Sequence, residues 1–280
     1  MPGHSRIAYI QAPFGGVWCG MNRTLSNYIS RSDLVVADPI DPTAFVEHPL
    51  PEWALRTIAY MSDIEQHTIA YLRELLSTRA VDDPEIAQFL ACWFYEESAH
   101  GRALAAVLDA HGYQATTSPR RPLGWRARGE AMVISILSAT WPSFGAVHMT
   151  WGAINELSTL TAYGQLADRA AHPALSALLS RISRDESRHF SFYFEQARRR
   201  LAASARTRRA VRAFVERFWA PVGSGVRSQG EVAALADILF SGNDGRDAAR
   251  RIDRTIRRLP GFADLSLVEA WLDRHACVSA

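Results

Sequence analysis

Residues 88–108 read QFLACWFYEESAHGRALAAVL, and residues 175–196 read LSALLSRISRDESRHFSFYFEQ. Each stretch carries two adjacent acids and, three places after the second, a histidine: Glu96-Glu97 with His100, and Asp185-Glu186 with His189. Neither contains a proline, and apolar residues recur in both at the 3.6-residue spacing of an α-helix. On the first helix Trp93, Glu97, His100, Leu104 and Val107 fall on one face; on the second Ile182, Glu186, His189 and Tyr193 do the same. A carboxylate and an imidazole on an apolar stripe are costly to bury unless they are paired or bound to metal. With 14 Glu and 9 His in 280 residues, chance supplies roughly half a copy of Glu-x-x-His, so one copy decides nothing. Two copies on matching apolar faces make a pattern.

Two further long helices surround these. Pro51 and Glu52 open one that is expected to run to about Thr78, and Glu65 sits on its stripe with Ile58, Met61 and Leu72. Another is expected from Pro142 to about Ala170, with Glu156 aligned with Met149, Gly152, Thr159 and Tyr163. Asp83-Pro84 reads as a cap and first residue, Gly112 as a helix stop, and His172-Pro173 as the start of a helix reaching Ala203. A helix near 125–139 and four shorter ones after 205 complete the series, and no stretch alternates with period two for long enough to form a sheet. The expected fold is all-α, a ferritin-like four-helix bundle over residues 51–205, with an irregular arm at 1–50 and additional helices over 206–280 on the same body. The order Glu, Glu-x-x-His, Glu, Glu-x-x-His over four helices is the ligand pattern of dimetal carboxylate bundles. Four carboxylates and two imidazoles balance two divalent cations, and this hard O/N donor set suits iron or manganese better than copper or structural zinc.

The remaining composition excludes other classes. About 48% of residues are apolar, 21% are charged, and the net charge is +2. That balance belongs to an ordinary globular chain, not a disordered one. No apolar run approaches about 18 residues, and the first residues lack a basic segment followed by an apolar one, so neither a membrane span nor a signal peptide is expected. Cys19, Cys92 and Cys277 are odd in number and lack CxxC spacing, which fits a reducing cytoplasm. The GSG at 223–225 has neither the strand nor the lysine of a phosphate loop, and no GxSxG occurs. All the basic residues are Arg.

At this point the sequence resembles the soluble acyl-acyl-carrier-protein desaturases. The segment WFYEESAHGRALAAVL is similar to that family's W-x-x-E-E-N-R-H-G-D-L-L, with Ser98-Ala99 in place of Asn-Arg. RISRDESRHFSFY is similar to D-E-K-R-H-E-x-x-Y, keeping Asp185, Arg188 and Tyr193. PSFGAVHMTWGAINELST resembles the stretch leading to Q-E-R-A-T, with Thr159 three residues after Glu156, and DIEQHTIAYL keeps Glu65 and Tyr71. The resemblance covers about residues 50–205. It implies two iron ions, with Glu97 and Glu186 bridging them, Glu65 and His100 completing one site, and Glu156 and His189 the other. It further implies that Glu96 and Asp185 orient the histidines of the opposite motif, with Arg188 beside them, and that Thr159 stands at the oxygen-binding face as the catalytic side chain. O2 as co-substrate, a ferredoxin-type electron donor, an acyl carrier protein and a homodimer belong to the same expectation.

The expected reaction is the O2-dependent introduction of a double bond into a carrier-bound acyl chain. Two alternatives keep the site and change its use: hydroxylation or N-oxygenation of a biosynthetic metabolite, and ferritin-like iron storage. A radical-generating reductase subunit is a further alternative, though it usually has Asp where Glu65 stands. Gly145 and Gly152 either leave room for a methylene chain or mark close helix packing. Arg208, Arg209 and Arg212 lie in an arginine-rich run, ARRRLAASARTRRAVR, that reads either as a docking strip for an acidic carrier or as a solvated face. Nucleic-acid binding is not expected, since no recognition motif accompanies these arginines.

Overall fold

The computed structural model describes residue 28 and residues 41–76, 78–113, 141, 143–224 and 226–275. The expected helix at 125–139 and most of the arm at 1–50 lie outside the described residues. The remainder is helical, as the periodicity predicts, and the described residues contain no strand. In chain order the helices are α1 (Thr43–Glu47), α2 (Glu52–Leu75), α3 (Pro84–Ala110), α4 (Phe144–Ala170), α5 (Pro173–Ala203), α6 (Ala205–Phe218), α7 (Gln229–Phe240), α8 (Gly242–Ile256) and α9 (Val268–His275). Helices α2 and α3 lie along each other, as do α4 and α5, and the two pairs face across the bundle.

The ends follow local chemistry. Asp83 accepts from the Glu85 amide at 3.0 Å and Pro84 takes the first turn of α3. Gly112 adopts φ +59° after α3, which only a residue without Cβ reaches cheaply. Helix α2 stops at Leu75, short of Thr78, because Thr78 caps a 3-10 turn at Arg79–Asp82 through the Ala80 amide. His172 caps α5: its Nδ1 accepts from the Leu175 amide at 3.2 Å while its ring stacks on Phe45 of α1, 5.1 Å away. At Gly152 close packing prevails over free room. A Cβ there would overlap the ring of Tyr193, so α4 approaches α5 at this level.

Two apolar clusters enclose the middle of the bundle, one around Phe89, Trp93, Phe192 and Tyr193, the other around Ile58, Leu104, Leu166 and Leu179. The C-terminal helices pack on the same body, α6 against α4 and α5, and α8 against α4. Their anchor is Asp253, buried on α8, whose carboxylate accepts from the Leu267, Val268 and Glu269 amides at 3.0–3.2 Å and so caps α9. Asp253→Ala leaves these donors unpaired, and a loss of about 2–3 kcal/mol is expected in a denaturant titration. An unchanged midpoint would refute the cap.

Candidate metal centre

Six side chains from four helices meet between the two apolar clusters. Helix α2 supplies Glu65, α3 Glu97 and His100, α4 Glu156, and α5 Glu186 and His189. They form two groups, Glu65, Glu97, His100 and Glu186, and Glu97, Glu156, Glu186 and His189; within each, one ligand atom per residue lies within 4.8 Å of the others. Glu97 and Glu186 belong to both. All six are buried, His100, Glu186 and His189 completely.

The unsatisfied atoms define what the cluster is built to hold. Glu97 Oε1, both Glu186 oxygens, His100 Nδ1 and His189 Nδ1 are buried without a hydrogen bond. His100 Nδ1 stands 3.1 Å from Glu186 Oε1, and His189 Nδ1 stands 3.0 Å from Glu97 Oε1. Buried polar atoms are rarely left so in a finished structure. Here the orphans of Glu97, Glu186 and the two histidines converge, Glu65 and Glu156 stand beside them, and the whole set is of the O/N type that divalent iron or manganese prefers. The residues fit two such ions.

The outward-facing atoms are all held. His100 Nε2 pairs with Asp185 Oδ2 at 3.1 Å, and His189 Nε2 with Glu96 Oε2 at 2.8 Å, so each acid orients the histidine of the opposite motif. Arg188 donates to Glu96 Oε1 at 2.9 Å and to Asp185, tying the two acids together. Tyr28 of the N-terminal arm donates to Glu96 and lies under the Arg188 guanidinium. On the other side Tyr163 donates to Glu65 Oε1 at 2.5 Å and Trp93 Nε1 to Glu156 Oε1 at 3.0 Å. The sequence reading missed Tyr28 and Tyr163 as partners. Tyr163 was on Glu156's stripe, seven residues on, but a stripe does not reveal that its hydroxyl meets a carboxylate of another helix. For Tyr28 no sequence signal existed.

Protons take part in balancing this charge without metal. Burial, reinforced by the Glu186 charge, pushes the Glu97 carboxyl up to about 7. Burial also raises Glu156, to about 8, and carries Glu65 well above its ordinary range with Glu97 adding to the effect. Burial alone would keep His100 neutral, but the Asp185 and Glu186 carboxylates beside it prevail and hold it up at about 9. Glu186 is the exception: burial opposes its charge, yet the two histidines facing it hold its carboxyl well below the usual range.

Because Arg188 fixes both orienting acids, Arg188→Gln is expected to weaken metal affinity by roughly 10–100-fold, the usual cost of losing an outer partner. A chelator-competition titration reads this directly, and equal affinities would remove Arg188 from the site.

A cavity of about 390 Å³ borders the cluster, with Glu65, Glu97, Glu156 and Glu186 in its wall. Thr159, half-buried, lines it one turn beyond Glu156. The chain between α6 and α7, from Ala220 to Gly223, forms the opposite side. Arg208, Arg209 and Arg212 are not brought to this cavity. Arg208 caps α5 by donating to the Leu201 carbonyl at 3.2 Å, Arg212 pairs with Glu216 at 3.0 Å and with Asp264, and Arg209 is exposed.

No protein-family model matches the sequence. No curated protein matches it either. Among solved structures the chain is similar to forms of an R2-like ligand-binding oxidase. One variant with an anaerobically reconstituted Mn/Fe cofactor aligns over 91% of this chain and 90% of its own, with TM-score 0.55 and 16% identity. A variant with an aerobically reconstituted Mn/Fe cofactor aligns over 92% of both chains, with TM-score 0.53 and 16% identity. A photoconverted form with an aerobically reconstituted metal cofactor gives TM-score 0.53 at 17% identity, over 91% of this chain and 90% of that one. The likeness is one of fold alone. Among the described residues no helix is long and apolar enough to cross a membrane.

Proposed function

We propose that the chain is an oxygen-dependent oxidoreductase that holds two metal ions, iron or manganese, at Glu65, Glu97, His100, Glu156, Glu186 and His189. The observation that carries this reading is the convergence of orphaned carboxylate and imidazole atoms on one buried point, with a cavity beside it. Bound there, such a pair supplies the capacity to reduce O2 and oxidise a C–H or N–H bond that no side chain attacks alone. The chain's own residues do the rest. Asp185 and Glu96 keep the Nε2 atoms of His100 and His189 occupied, leaving Nδ1 free for metal. Trp93 and Tyr163 each hold one oxygen of Glu156 and Glu65, which fixes the carboxylates without quenching both oxygens. Trp93, Trp151 and Tyr193 belong to the aromatic part of the cavity wall, and the Thr159 hydroxyl is positioned to hold or pass a proton at the cavity edge.

The finer reading from the motifs is desaturation of a carrier-bound acyl chain, fed by a ferredoxin-type donor. Under it the exposed Arg209, with Arg206 beside it in the same basic run, is offered to a carrier, while Arg208 and Arg212 also make contacts within the chain. A second reading, oxygenation of a compact metabolite, is favoured by the cavity's modest size, at the lower end of the range for small-molecule sites. Iron storage fits poorly with a cluster whose open side is covered by the α6–α7 connection. The test is reconstitution with Fe(II) or Mn(II), followed by O2 uptake with a chemical reductant and mass analysis of acyl-carrier and small-metabolite panels. A fully loaded protein that consumes no O2 would overturn the reading.

A further inference from the structure

A second, smaller cavity of about 90 Å³ lies behind the first and shares part of its wall: Ile64, Glu65, Thr159, Pro221 and Val222 border both. Its far end is made by α7, through Leu235, Ala236, Leu239 and Phe240. Glu65, held by Tyr163, is the one ionisable carboxyl in a lining that is otherwise apolar or hydroxylic. An apolar group placed here would sit past Thr159, with the atoms just behind it beside the metal-facing carboxylates. We infer that this chamber is the terminal subsite for substrate, and that it takes a short alkyl end of about three or four carbons.

The size follows from volume. An apolar cavity of about 150 Å³ accommodates benzene, roughly 25 Å³ per carbon. At that density 90 Å³ holds fewer than four carbons and excludes an aromatic ring. Such a limit has force only if the end wall is fixed, and it is. Tyr60 donates to the Val222 carbonyl at 2.8 Å, and Arg227 bridges Asp63 of α2 at 2.9 Å and Glu231 of α7 at 3.2 Å. Ser228 and Glu231 form a reciprocal capping box at the start of α7. Gly223, at φ +92°, lies so close to the Tyr60 hydroxyl that no side chain fits between them. The polar or aromatic body of the substrate then occupies the larger cavity, among Asn155, Thr68 and Trp151.

This inference rests on the oxidase reading for its relevance to turnover, but it is tested by binding. Neutral 4-alkylbenzamides with tails from methyl to hexyl carry a ring too large for the chamber, so only the tail can enter. Calorimetry on the protein after incubation with Fe(II) or Mn(II) should give an affinity rising about fourfold per methylene up to three or four carbons, then levelling or falling. Ala236→Leu should move that break to a shorter tail and Leu239→Ala to a longer one. Affinity that climbs unbroken to hexyl, no binding by any member, or a break that neither variant moves would overturn the subsite. Should Leu239→Ala fail to fold, the wild-type series and Ala236→Leu still decide. Metal content and O2 uptake measured on the same preparations separate the two ideas. A break in a chain that binds no metal overturns the oxidase reading alone. An unbroken rise in a chain with two metals overturns the subsite alone.

Discussion

Replacing Glu186 with alanine is expected to reduce metal loading from about two ions per chain to fewer than about one, because its carboxylate belongs to both donor groups. Both its oxygens are buried without a hydrogen bond, so they have no other function to satisfy. Glu97→Ala should behave similarly, since Glu97 is the other shared carboxylate. Glu65 belongs to one group only, and Glu65→Ala is expected to retain about one ion. Elemental analysis after anaerobic reconstitution and desalting measures the stoichiometry, with circular dichroism to verify that the helices persist. Full loading of the Glu97→Ala, Glu186→Ala double variant would sink the assignment of all six residues.

The metal-free chain should be more stable at about pH 5.5 than at about pH 8, and the metal-loaded chain should show the opposite trend. In the unfolded chain glutamates ionise from an ordinary value of 4.5, whereas folded Glu97 keeps its proton to about 7 and Glu156 to about 8. Between those values the folded state binds more protons, so its stability falls as pH rises. His100 adds to the trend between its ordinary 6.5 and about 9, because the folded state again holds the extra proton. Two groups oppose it on the acid side. Glu186, held low by the histidines, costs stability as pH falls below about 4.5. His148, kept neutral by burial and lowered to about 3, does so as pH falls below 6.5. The optimum of the apo form therefore lies near pH 5. The gain over pH 8 is of order 2 kcal/mol or more, roughly 4–8 °C in melting temperature for a chain of this length. Bound metal displaces these protons, so acid then competes with metal and lowers stability. An apo melting temperature that declines steadily from pH 8 to pH 5.5 would show that the carboxylates do not repel one another across the bundle.

The sequence by itself determined what depends on neighbours three to seven residues apart. The helix of α3 was visible in Asp83-Pro84, in its apolar stripe and in Gly112, because caps, periodicity and a left-handed stop are local properties. The placing of Glu65, Glu97, His100, Glu156, Glu186 and His189 on inward faces was legible for the same reason: a helix fixes which residues share a side. Only the tertiary structure decided which atoms meet across helices. Tyr163 finds Glu65 across 98 residues, Trp93 finds Glu156 across 63, and Tyr28 finds Glu96 across 68. The arginine-rich run was legible as a strip on the surface, but not that Arg208 donates to the Leu201 carbonyl or that Arg212 pairs with Asp264. Gly152 read either as room for a chain or as close helix packing, and the Tyr193 ring decides for packing. The size of the cavities and the end wall on α7 were equally out of reach, since a void is defined by every element around it and by none alone.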